Sequence, residues 1–177
     1  MPCSIYLEYR NSVKMSTLTN TVGGVLQCLL GLSYSPTIGA SSLKGYDSQL
    51  ASPIRGPMPE FVDGGRLLIL EADQGGTVFV RYTEAFFLHD AGPLVPTVFV
   101  DLPAASGESD IAVGAATCAA MARLLGTEIL DPEGCYRGPK KETEASFVSR
   151  LSLGFPQWDY DAAVKILARK LGRLGDE

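Results

Sequence analysis

The sequence predicts an α+β fold built on a mainly antiparallel sheet, and three observations carry that reading. Between residues 66 and 102, β-rich runs follow one another through turns too short for a parallel crossover. Apolar residues at helical spacing precede and follow that block, so strands and helices are segregated rather than alternating. The chain has 177 residues and 18.9 kDa, enough for one core, and neither a linker nor an internal repeat divides it. One domain over 1–177 is expected.

The elements follow in order. Ser4 to Tyr9 alternates as a strand, with Ile5, Leu7 and Tyr9 on one side. Ser16 to Leu30 then places Leu18, Val22, Val25, Leu26, Leu29 and Leu30 on one helical face. Gly23-Gly24 weakens that helix, by about 1 kcal/mol per glycine relative to alanine, and suggests a close approach to a sheet. Across 33–65 the periodicity dissolves. Prolines 36, 53, 57 and 59 argue against long regular elements, and a long irregular loop is expected there, functional or ornamental.

The β block comes next, as Arg66–Ala72, Thr77–Tyr82, Glu84–His89 and Thr97–Leu102. Asp73-Gln74-Gly75-Gly76 supplies a hairpin turn whose glycines accept positive φ. A helix capped by Ser106 or Ser109 runs to Leu125 and stops at Gly126. It is apolar nearly all round, so it should be covered on both sides. A short strand at Thr127–Leu130 ends in Asp131-Pro132-Glu133-Gly134. Two helices close the chain, Glu144–Leu153 and one from Asp159, with Val164, Leu167, Leu171 and Leu174 on its apolar face. The order β-α-(ββββ)-α-β-α-α suggests a ferredoxin-like split β-α-β core with an inserted meander and two C-terminal helices.

Composition narrows function. The net charge is −5, divided as −7 over residues 1–134 and +2 over 135–177. That balance argues against nucleic acid as the partner. The longest apolar stretch, Ile111 to Leu125, is too short and too interrupted for a membrane span, and no basic leader precedes an apolar run at the N-terminus. Cys3, Cys28, Cys118 and Cys135 form no C-x-x-C pair. Cys28 and Cys118 read as small buried hydrophobes. The set as a whole reads as reduced thiols in a cytoplasmic protein, although the count would allow two disulfides.

Catalytic motifs are missing from the sequence: no G-x-S-x-G, phosphate-binding loop or dinucleotide fingerprint occurs. His89, the one histidine, reads as a solvated strand-end residue rather than a base oriented by Asp90. Glu71, Asp73, Asp101 and Asp131 can be imagined as a carboxylate metal site, but none has calcium-loop spacing. Nothing calls for a cofactor or a metal. A binding protein is favoured over a small enzyme using His89 or the strand-end carboxylates, and over a dimeric chaperone or regulatory domain. The expected contact residues are acids near turns together with aromatic anchors: Tyr46, Glu60, Phe61, Asp63, Glu71, Asp73 and Asp101, with Tyr34 and Tyr82 nearby. The basic cluster Lys165, Arg169, Lys170 and Arg173 is explained by the helix dipole.

The run from Ala115 to Pro132, Ala-Ala-Thr-Cys-Ala-Ala-Met-Ala-Arg-Leu-Leu-Gly-Thr-Glu-Ile-Leu-Asp-Pro, places an alanine-rich helix, a Leu-Leu-Gly stop, a short strand and an Asp turn in sequence. Over these roughly twenty residues the chain resembles the small acidic immunity proteins encoded beside bacterial polymorphic and contact-dependent toxins. The resemblance implies a cytoplasmic, non-enzymatic protein that binds and blocks one cognate protein, a basic toxin domain being the partner expected for an acidic chain. It transfers no catalytic residues.

Overall fold

The computed structural model of the protein describes residues 3–65, 67–87, 93–103, 106–157 and 159–171. Its elements are β1 (Cys3–Glu8), α1 (Met15–Leu30), β2 (Ile38–Asp47), β3 (Ser52–Gly56), a 3-10 turn (Val62–Gly64), β4 (Leu67–Ala72), β5 (Thr77–Phe87), β6 (Leu94–Leu102), α2 (Glu108–Leu125), β7 (Ile129–Leu130), β8 (Lys141–Glu142), α3 (Glu144–Leu151) and α4 (Tyr160–Lys170). The strands form one sheet in the order β3-β2-β4-β5-β6-β1-β7-β8. Every pairing within it is antiparallel. The α+β class and the antiparallel sheet are therefore as expected. The ferredoxin-like detail is not: a split β-α-β unit needs parallel neighbours, and β1 lies between β6 and β7, antiparallel to both.

The segment 33–65 is not an irregular loop. It holds the β2–β3 hairpin, which lengthens the sheet beyond β4. The prolines misled because their position in the sheet matters more than their number. Pro53 sits in β3, the edge strand, where a missing N–H disturbs the ladder least. Its partner strand β2 is made of small and polar residues and becomes a strand by pairing with the apolar β4, from Ile38 opposite Ala72 to Ser42 opposite Leu68. The two β runs expected at 77–82 and 84–89 are instead one strand, β5, with an irregularity in its pairing to β6 between Thr83 and Phe86. His89 and Leu174 lie outside the described residues.

One face of the sheet carries the core. Ile5, Leu7, Leu68, Leu70, Val78, Val80, Val98, Val100 and Leu102 alternate inward and meet α1 and α2. Each such side chain, removed from water, contributes about 1.5–3 kcal/mol. α3 and α4 pack on α2, so this helix is covered on both sides, as its apolar circumference requires. Neither serine caps it. Asp110 reaches back to accept the Gly107 N–H (2.8 Å), and its other oxygen accepts the Thr77 N–H (2.7 Å), fixing the start of α2 against β5. Gly126 ends the helix with φ 63°, as expected. In α1, a Cβ on Gly23 would come within 2.5 Å of the Pro36 carbonyl oxygen, whereas one on Gly24 would meet nothing. The close approach is thus to the strand-entry segment, and only one glycine serves it.

Tyr160 fastens the outermost helix to the sheet. Its hydroxyl donates to the Gly75 carbonyl (2.8 Å) in the β4–β5 turn, where Gly75 and Gly76 take φ 102° and 101°. Burial is the main cause that pushes its phenol up to about 12 from an ordinary value of 10.0. A raised folded-state value means that this stabilisation is complete below pH 10 and is lost as pH climbs towards 12. Tyr160→Phe is expected to flatten the alkaline limb of a pH–stability profile in that window. At neutral pH it should cost about 1 kcal/mol for the lost hydrogen bond.

Cys3 and Cys135 are joined by a disulfide, Cα–Cα 5.9 Å, so the set is not uniformly reduced. Cys28 is exposed, on the solvent side of α1, while Cys118 is buried in α2 as expected. The apolar run around Cys28 concealed that its own position falls outside the buried arc of the helix.

Candidate functional site

The face of the sheet opposite the helices is assembled from the register. One row across β4, β5, β6 and β1 reads Leu67, Arg81, Phe99, Tyr6. The neighbouring row reads Ile69, Phe79, Asp101, Ser4, and the next pairs Glu71 with Thr77. Phe86 joins this face because of the irregularity in β5. Strict alternation from Phe79 and Arg81 would put residue 85 outward; the extra residue turns Phe86 out instead. Its ring then lies 4.8 Å from Phe99 and 5.5 Å from Tyr6, and Tyr6 stands edge-on to Phe99 at 5.0 Å.

Phe99 is only 4% exposed and Ile69 1%, although neither belongs to the helix-covered core. Long neighbours on the same face shield them. The Arg81 guanidinium lies over the Phe99 ring, 4.2 Å from its centroid, with its stem along the sheet. Arg81 Nε also meets Asp101 at 3.4 Å, and Asp101 accepts the Ser4 hydroxyl at 2.6 Å. Further along, both guanidinium ends of Arg55 engage Glu71, which also accepts from the Thr77 hydroxyl (3.3 Å). The hydrogen bonds from Arg55 hold the Glu71 carboxyl below its ordinary value despite partial burial. Burial, followed by the charges of Glu133 and Asp101, raises the Tyr6 phenol. The face is therefore a largely shielded aromatic cluster, with Tyr6 and Phe86 partly exposed and Phe99 buried, bordered by two arginine–carboxylate pairs.

The expected contact residues are not brought to one place. Glu71 and Asp101 lie on this face, each already paired with an arginine. Asp73 is exposed in the β4–β5 turn, where its N–H donates to the Thr37 carbonyl (2.9 Å). Tyr46 stands 62% exposed on the β2–β3 hairpin, opposite Pro53. Glu60, Phe61 and Asp63 belong to a strap pinned across the entry to α1. The Glu60 carbonyl accepts from Met15 N–H (2.9 Å), Phe61 bridges Lys14, and the Asp63 carboxylate accepts the Ser12 hydroxyl (3.0 Å). Asp63 also borders a cleft of about 600 Å³ lined by Arg81, Tyr82 and Thr83. The imagined carboxylate site is not assembled: among the described residues the carboxylates of Glu71, Asp73, Asp101 and Asp131 form no common ligand group, and Asp131 is buried in its own loop.

Sequence reasoning passed over Tyr6, Arg55, Arg81, Phe86 and Phe99. A signal existed in Thr77-Val-Phe-Val-Arg-Tyr82, where Phe79 and Arg81 share the face opposite the valines. An arginine on the aromatic side of a strand marks a face that is neither plain core nor plain solvent. Comparisons of the chain with protein-family models, curated proteins and solved structures find no match to any of them.

Proposed function

We propose that the chain is a non-enzymatic binding protein that neutralises a cognate protein, and that the face bearing Tyr6, Arg81, Phe86 and Phe99 is where the partner docks. The observation that carries this reading is the composition of that face. Tyrosine, phenylalanine and arginine are enriched at protein interfaces, where the rings bury a large apolar area and the tyrosine hydroxyl and arginine guanidinium add a polar or charged edge. A bacterial toxin domain of basic character is the occupant that the net charge of −5 favours through long-range steering. The short-range anchors are aromatic, since Glu71 and Asp101 are already neutralised by Arg55 and Arg81. A cytoplasmic home belongs to the same proposal.

The test uses the purified protein and the toxin domain encoded beside it, with affinity measured by calorimetry. Tyr6→Ala and Arg81→Ala are each expected to weaken binding tenfold or more, the loss typical of central anchors, roughly 1.4 kcal/mol or above. Lys165→Glu with Arg169→Glu, on α4, should leave affinity unchanged. Binding that fails only with the α4 variants would put the interface on the other side of the molecule, and a neighbour that does not bind at all would overturn the toxin reading.

A further inference from the structure

We propose that Cys3, Cys135 and Glu133 form a redox-gated site for a thiophilic divalent cation such as zinc. The two sulfurs and a Glu133 carboxylate oxygen all lie within 4.8 Å of one another. The site borders the proposed docking face, since Glu133 lies against the Ser4 N–H and its charge acts on Tyr6, but the proposal does not rest on that reading.

What makes this more than a disulfide with an acid nearby is how the donors are held. Cys3 is in β1, in register with Leu102 of β6. Glu133 and Cys135 sit in the loop after β7, and that loop is organised around Asp131, which is 3% exposed. The Asp131 carboxylate accepts the N–H groups of Cys135 (2.7 Å) and Tyr136 (2.9 Å), its carbonyl accepts Gly134 N–H (3.2 Å), and its own N–H donates to Lys140 (2.8 Å). The Ser4 N–H points at Glu133 Oε2 from 3.4 Å. None of these bonds involves a sulfur, so the three donors stay near one another when the disulfide opens.

Two thiolates and a carboxylate are a donor set that zinc accepts in tetrahedral geometry, leaving a fourth position for water or an added ligand. Zn–S bonds of about 2.3 Å place two sulfurs roughly 3.7 Å apart. Cα atoms separated by 5.9 Å reach that spacing by rotation of the side chains. The two states exclude each other. A dithiol reductant gives two electrons and two protons to the S–S bond, becoming a disulfide itself and leaving two thiols. Metal uptake then releases those two thiol protons to solvent as both sulfurs coordinate.

The experiment uses the full chain carrying Cys28→Ser, which removes the exposed thiol, with cobalt(II) as the probe and zinc as the competitor. The reduced protein should take up one equivalent of cobalt with a thiolate-to-cobalt charge-transfer band that zinc abolishes, and the oxidised protein should show none. Cys3→Ser should eliminate the band. Glu133→Gln, which keeps both cysteines, should weaken cobalt binding tenfold or more, at least the loss seen when a metal's outer partners are removed. Any of four results overturns the proposal: no band in reduced protein of native circular dichroism, unfolding on reduction before metal is added, a band that survives Cys3→Ser, or Glu133→Gln binding as tightly as the parent.

Discussion

Serine at both Cys3 and Cys135 is expected to lower the unfolding free energy by about 2–5 kcal/mol under non-reducing, metal-free conditions. The bridge spans a sequence separation of 132, so the unfolded chain it constrains is nearly the whole molecule. Chain-entropy arithmetic for a loop of that size gives about 5 kcal/mol at 25 °C, and structure remaining in the unfolded chain reduces it. The effect should be concentrated at one end of the sheet. There β7 and β8 have two residues each, and β7 meets β1 at a single register position, Tyr6 opposite Leu130. Urea unfolding with parallel hydrogen exchange would check both points. Amides in β7, β8 and the 131–140 loop should lose protection before those of β5 and β6. Cys28→Ser is the control and should change stability by less than about 0.5 kcal/mol, as an exposed substitution does. A double variant as stable as the parent would mean that the Asp131 loop alone holds this end together.

Where side-chain period and local chemistry acted alone, the fold was legible. α1, α2 and α4 lie within a residue or two of their expected starts. Asp159, expected as the start of α4, proves to be its N-cap, accepting the Ala162 N–H at 2.8 Å. The β4–β5 hairpin follows directly from its glycine turn. Failures occurred where a distant partner decides the conformation. The small polar residues of β2 carry no strand signal of their own, and the apolar β4 beside them supplies the template. The Cys3–Cys135 pair joins residues brought together only by the antiparallel pairing of β1 with β6 and β7. No spacing rule could have found it. The outer face was illegible for a related reason. Phe86 reaches it through an irregularity of register, and Arg55 reaches Glu71 only because an unforeseen hairpin carries it there. Acids taken singly as steering charges were thus already committed to arginines.

Asp131→Ala should be about as damaging as loss of the disulfide, and its effect should persist in reduced protein. The wild-type carboxylate is buried and satisfies two backbone N–H groups, those of Cys135 and Tyr136, which lie in a loop that is itself buried at both residues. Alanine leaves both donors without an acceptor, and a buried unpaired polar group costs about 1–3 kcal/mol. The sum, about 2–6 kcal/mol on that per-group cost, is a large fraction of the 5–15 kcal/mol typical of a domain. The disturbance should travel through Tyr136. This ring packs edge-on against Phe147 of α3 at 5.4 Å, its hydroxyl donates to the Ile111 carbonyl of α2 (3.2 Å), and its own carbonyl accepts from Arg150 (2.7 Å). Releasing the loop therefore loosens the contact of α3 with α2 as well as the β7–β8 end. Asp131→Asn keeps one acceptor oxygen at the same place and should recover roughly half of the loss, because one of the two N–H groups is still met. Thermal denaturation of the two variants with and without reductant separates the contributions. If Asp131→Ala costs nothing once the disulfide is open, the carboxylate merely fits a loop that the sulfurs shape. A cost equal in both states means that the carboxylate sets the loop and the sulfurs follow.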